Sequence, residues 1–112
     1  GIRAAPYMAS YSASKAAMTH FSACAAMEGG PANVRVNAVV PGQVMTAATE
    51  DWASKTPETA AKTAGAIPMQ RGGQPEELAA AIVFLLSDAS SYITGVALPV
   101  DGGKAAQLYL PS

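Results

Sequence analysis

The chain has 112 residues, 50% of them apolar and 13% charged, which is enough for one domain with a buried core and too apolar for a disordered tail. Seven Lys and Arg against eight Asp and Glu leave a net charge of -1 with no basic cluster, so neither nucleic acid nor an anionic membrane is the expected partner. The single cysteine, Cys24, forms no internal disulfide and offers no metal-ligand spacing, and no apolar run reaches bilayer length. These features lead us to expect a cytoplasmic protein without a metal site.

In chain order, Pro6 and the small residues after it predict a helix to about Glu28, stopped by Gly29-Gly30-Pro31. Alanine, methionine and phenylalanine occur around most of its circumference (Ala16, Met18, Phe21, Ala25, Met27), which predicts burial on more than one side. In "VRVNAVVPG", Val34, Val36, Ala38 and Val40 alternate with Arg35, Asn37 and Val39, the pattern of a strand with a buried face ended by Pro41-Gly42. Residues 43–73 are irregular, and their length implies one or two short helices rather than a bare loop. "QPEELAAAIVFLLSD" predicts a helix with Pro75 in its first turn, Glu76 and Glu77 at the positive end of the dipole, and Leu78, Ile82, Leu85 and Leu86 on the buried face. Residues 87–92 read as a turn or short helix, and "GVALPVDGG" as a second short strand. Helix, strand, excursion, helix, strand is an α/β order, expected to give parallel strands.

The stretch "YSASK" carries the chemistry. At 100° per residue, Tyr11 and Lys15 stand one turn apart on one helix face. An ammonium beside a phenol favours the phenolate and fits the phenol for general acid–base work on an alcohol or carbonyl oxygen. The same spacing also suits an exposed, solvated pair. His20, nine residues from Tyr11, falls about 180° round the helix and reads as a packing or interface residue. Cys24 reads as a small buried residue rather than a nucleophile.

"YSASKAAM", "VRVNAVVPGQVMT" and "ITGVALPVDGG" together resemble the C-terminal half of the short-chain dehydrogenase/reductase family, in family order, over nearly the whole chain. The resemblance implies the C-terminal part of a Rossmann-type doubly wound parallel sheet, with residues 1–112 forming half of one NAD(P)-binding domain. It implies interconversion of a small-molecule alcohol and carbonyl compound with NAD or NADP. Tyr11 matches the family's proton-transferring tyrosine, and Lys15 the lysine that binds the nicotinamide ribose and tunes that tyrosine. Pro41 and Gly42 match the turn that borders the nicotinamide, Val44 the main chain that meets its carboxamide, and Thr46 the hydroxyl that reaches the carboxamide or pyrophosphate. Thr46 also suits a plain helix cap. Residues 47–67 match the family's substrate lid, where Met45, Trp52 and Met69 at or near the ends suit a lipophilic or mid-sized substrate.

The departures matter equally. The family's glycine-rich phosphate loop, the residue selecting NAD or NADP, and the catalytic serine have no counterpart in these residues, so the 112 residues alone are expected to be inactive. A homo-oligomer, dimer or tetramer, or association with a missing N-terminal half is expected. The rival expectation is a catalytically incomplete fragment that acts as an oligomerisation or interaction piece. A third alternative is an unrelated small α/β binding module.

Overall fold

The structure, a computed structural model, describes residues 6–106, with side chains from Ala13 onward. Helix α1 (Pro6–Gly29) leads through a 3-10 turn (Gly30–Ala32) to strand β1 (Ala38–Pro41). Helices α2 (Ala47–Lys55), α3 (Pro57–Gly65) and α4 (Pro75–Leu86) follow, then a 3-10 turn (Asp88–Ser90), strand β2 (Ala97–Val100) and a last 3-10 turn (Lys104–Ala106). β1 and β2 form a two-stranded sheet. The bonds Gly95 N–H to Val36 O (2.7 Å), Ala38 N–H to Val96 O (2.8 Å) and Gly42 N–H to Val100 O (3.0 Å) advance together along both strands, so the pair is parallel, as the element order predicts.

Two compact units are present: residues up to Ala38 with Ser87–Leu98, and Val39–Leu86 with the residues from Pro99 on. In the first unit the described side chains of α1 bury one narrow face, Ser22 (1% exposed) and Ala26 (7%), at the approach of Gly95. The broader burial expected for α1 does not occur among these side chains, since Phe21 is 64% and Met27 80% exposed. The helix stop also differs from expectation. Gly29 stays helical, and the left-handed residue is Asn33 (φ 58°), whose short amide side chain tolerates that conformation.

β1 is shorter than the alternating valines imply, and Val34 is exposed. Side chains replace the missing rungs. The Val36 N–H donates to Thr94 Oγ1 (3.0 Å), and the Asn37 amide donates to Ile93 O and accepts from Val96 N–H, both at 3.1 Å. Arg35, read from sequence as an alternating outward residue, is part-buried and ties down the turn before β2. Its Nη1 donates to Ser90 Oγ (3.0 Å) and Ile93 O (3.2 Å), and its Nη2 to Ser87 O (3.2 Å).

In the second unit Val40 and Ile67 are buried, and Leu85 is the buried residue of α4. The rest of the face expected for α4 is not covered. Leu78 is half-buried, and Ile82 and Leu86 are exposed, Leu86 at 79%. Among the described residues no helix is long and apolar enough to cross a membrane.

Gly95 combines a left-handed backbone (φ +81°) with an Ala26 Cβ only 3.2 Å from where its own Cβ would stand. Gly95→Ala should cost about 1–3 kcal/mol. Gly30→Ala, in open space, should be neutral or slightly stabilising. Urea midpoints of the two variants check this, and equal midpoints would contradict the packing described.

Candidate functional site

The turn after β1 is built from the second unit. Gly42 donates its N–H to Val100 O, and a Cβ placed on it would stand 2.7 Å from Asp101 Cβ and 2.9 Å from Asp101 Cα. No side chain fits there, so glycine is required by the neighbouring strand end itself. Asp101 is in turn held by its own carboxylate, which accepts from Gly103 N–H (3.0 Å) and Ala105 N–H (2.9 Å).

Beyond Gly42, residues 43–45 pair with Gly73 in an isolated parallel bridge. Gly73 N–H donates to Gln43 O (2.8 Å) and Met45 N–H to Gly73 O (2.7 Å). The residue between, Val44, uses its carbonyl to accept from Thr46 N–H (3.1 Å) and Thr49 Oγ1 (3.1 Å). Its N–H makes no hydrogen bond among the described residues, because in a parallel bridge the central residue's groups point away from the partner strand.

Thr46 opens α2 as a reciprocal cap. Its Oγ1 accepts from Thr49 N–H (3.3 Å), while Thr49 Oγ1 accepts from Thr46 N–H (2.6 Å). The capping alternative raised by the sequence is therefore realised, and the exposed Thr46 hydroxyl also lies 3.2 Å from Thr49 Oγ1.

Behind this turn, helices α2 and α3 wall a cavity of about 370 Å³, within the range of small-molecule sites. Met45, Trp52, Ala53 of α2 and the alanines of α3 line it, together with Gln43, Gln70, Arg71 and Gln74. Met69, grouped with Met45 and Trp52 on sequence, is 60% exposed and does not line it. Sequence reasoning passed over Gln43 and Arg71, since no spacing rule marks a glutamine after Pro-Gly.

Arg71 Nη1 and Nη2 grip the Glu77 carboxylate at 2.7 and 2.9 Å, and Glu77 also accepts from Gln74 N–H (2.9 Å), capping α4 at its third residue. The Arg71 guanidinium and the Gln74 N–H hold the Glu77 carboxyl at about 2, well below the usual carboxylate range, and the pairing raises Arg71 further.

In the first unit, Tyr11 lies within α1 by its backbone, and its side chain is outside the described residues. Lys15 is half-buried, one turn further along α1. His20 and Cys24 are both exposed, with Sγ 3.5 Å from Nε2, so the expected burial of Cys24 does not hold. Among the described residues no three His, Cys, Asp or Glu side chains gather to hold a metal.

Glu77 has a depressed carboxyl pKa in the folded chain, so its contribution to stability is present above the unfolded carboxyl value and lost as pH falls. The urea-midpoint gap between wild type and Glu77→Gln should be constant above about pH 5 and close as pH approaches 2. A gap unchanged at the lowest pH would remove the Arg71–Glu77 account.

A family model described as Enoyl-(Acyl carrier protein) reductase matches residues 1–105. The chain is 46% identical over 104 residues to the 3-oxoacyl-(acyl-carrier-protein) reductase FabG of Thermotoga maritima, covering 92% of this chain and 41% of that protein. Among solved structures, an oxidoreductase of the short-chain dehydrogenase/reductase family from Burkholderia thailandensis superposes with a TM-score of 0.74 at 39% identity, over 87% of this chain and 38% of that one. YwfH, an NADPH-dependent reductase involved in bacilysin biosynthesis, superposes with a TM-score of 0.72 at 32% identity, over 83% of this chain and 38% of that one. The chain thus spans about two fifths of the length of the relatives it matches. Its fold is part of a Rossmann-type α/β sheet, and the chain belongs to the short-chain dehydrogenase/reductase family.

Proposed function

We propose that the protein carrying these residues is an NAD(P)-dependent oxidoreductase that interconverts an alcohol and a carbonyl compound, with Tyr11 and Lys15 as its acid–base pair. The observation that carries the reading is the turn after β1, whose Val44 N–H is left without a partner among the described residues while the bonds on either side of it are made. A carboxamide carbonyl is the complementary acceptor. The relatives support the same reaction class: the Thermotoga maritima protein and YwfH are reductases, YwfH an NADPH-dependent one, and the Burkholderia thailandensis protein is an oxidoreductase.

The turn fits a flat polar ring. Gly42 presents bare backbone, Pro41 is exposed beside it, and the Val44 N–H supplies a donor. Pro41, Gly42, Val44 and Thr46 would border the nicotinamide, and Lys15 its ribose. Either dinucleotide, NAD or NADP, supplies a hydride donor or acceptor when bound. For its part the chain moves a proton. Tyr11 Oη gives it to the oxygen of a carbonyl being reduced, or takes it from an alcohol being oxidised. Lys15, one turn away, favours the phenolate by charge. Residues 1–112 form the C-terminal half of the NAD(P)-binding domain in this reading.

A second reading, in which the chain acts as an oligomerisation or interaction piece, is favoured by apolar side chains left uncovered. These are Phe21 and Met27 on α1 of one unit and, separately, Val83 (64% exposed) and Leu86 on α4 of the other. Isolated apolar residues at surfaces are ordinary, but several large exposed ones on one helix mark a surface that associates. Both readings predict a homo-oligomer, dimer or tetramer, or association with further chain.

In the active protein, Tyr11→Phe should reduce turnover about 100-fold or more while dinucleotide affinity stays close to wild type. Lys15→Ala should damage both. Steady-state kinetics with a dinucleotide-binding titration checks this, and a Tyr11→Phe enzyme within about threefold of wild type would rule out the acid–base role. Sedimentation of the 112-residue chain at low micromolar concentration should show a dimer or larger species; a strictly monomeric, cooperatively folded chain would remove the assembly reading.

A further inference from the structure

Gln43 is the one residue of the cavity wall whose polar atom is left stranded. Its Oε1 is buried with no hydrogen-bond partner, the only such side-chain atom found among the described residues. An unmade bond of this kind costs free energy that a bound donor would restore. A core position would select a leucine or methionine of similar size instead. The side chain is set against Gly72 at its Cγ, while the terminal amide torsion is soft, so the carbonyl can turn to a donor that enters the cavity.

The rest of the wall says what enters. Trp52, Met45 and alanines from both lid helices form an apolar slot. Arg71 also lines it, but its guanidinium is taken up by both Glu77 oxygens and by Gly72 O (3.1 Å). A compensated charge of that kind does not call for an anionic ligand. Gln70, next to Arg71, is held in the left-handed region (φ 61°), a strained conformation of the sort that concentrates at ligand-binding walls.

We infer that Gln43 is a specificity-determining residue whose Oε1 accepts a hydrogen bond from an uncharged donor, an amide N–H or hydroxyl, carried by the substrate away from its reacting carbon. The favoured substrates are therefore neutral, mid-sized carbonyl compounds or alcohols that carry a second, donating polar group. The identity of the reaction rests on the oxidoreductase reading; the requirement for a donor rests on Gln43 alone.

The test compares N-methylacetoacetamide, which carries an amide N–H, with methyl acetoacetate, which lacks one, in the protein carrying these residues. The ratio of kcat/KM should favour the amide by about fivefold to tenfold, the worth of one such hydrogen bond. That ratio should fall to within about twofold in Gln43→Leu and survive in Gln43→Glu, which keeps the acceptor oxygens and loses the N–H donors. Equal kcat/KM for the two compounds in wild type, a preference that survives Gln43→Leu, or one abolished by Gln43→Glu as by Gln43→Leu overturns the inference. Saturation-transfer NMR ranks the binding of the same two compounds independently of turnover. If no carbonyl compound is turned over, the oxidoreductase reading fails, and the binding ratio in wild type and Gln43→Leu still decides the role of Gln43. Binding of neither compound overturns that role even where other carbonyl compounds are reduced.

Discussion

The close approach of Gly42 to Asp101 governs the candidate site. A Cβ at residue 42 would fall inside van der Waals contact of Asp101 backbone and side chain, and Asp101 is fixed by two main-chain bonds to its carboxylate. With the strand ends locked so closely, the chain leaving β1 has one route. That route takes residues 43–45 alongside Gly73 and delivers Thr46 to the start of α2. The turn, its cap and the cavity behind it are consequences of one contact between two strand ends. Ligands of open α/β sheets gather beyond the carboxyl ends of the strands, which is where this turn lies.

Within the turn, several polar groups hold the fold, whereas the Val44 N–H does not. Thr46 and Thr49 satisfy each other, a reciprocal cap worth about 1 kcal/mol to α2. Glu77 does the same for α4 while neutralising Arg71. The Thr46 hydroxyl is consequently part of a helix start before it is part of any ligand site: one lone pair accepts from Thr49 N–H, which leaves its O–H and its second lone pair for other partners. Val44 differs. Both of its neighbours are bonded to Gly73, its carbonyl is occupied, and only its N–H is left over.

Much of this was legible in the sequence. One or two short helices in the excursion follow from its length, the first-turn place of Pro75 and Glu77 from proline and charge placement, and the α/β order from the succession of elements. What escaped the sequence was tertiary. The alternation of Val34, Val36, Ala38 and Val40 marks a strand, yet Asn37 and Thr94 take over the ladder with their side chains, so β1 starts only at Ala38 and Val34 is exposed. Arg35 reads as a solvent-facing residue of a strand, but three acceptors near Ser90 collect it. The apolar circumference of α1 and the apolar face of α4 imply a burial that each helix realises only in part, and Met27 and Leu86 are exposed. Gln43 was invisible for a different reason. A glutamine is ordinary at the surface and informative only once its oxygen is seen to be buried and unpartnered.

Amide hydrogen exchange of the 112-residue chain, resolved by residue, tests the central claim most directly. The account predicts slow exchange at Gly42, Met45 and Gly73, whose N–H groups bond to Val100, Gly73 and Gln43, and fast exchange at Val44 between them. Protection of the Val44 amide equal to that of Met45, with no ligand present, would mean that its N–H is already spent in the fold, and the turn would then have no donor to offer a nicotinamide.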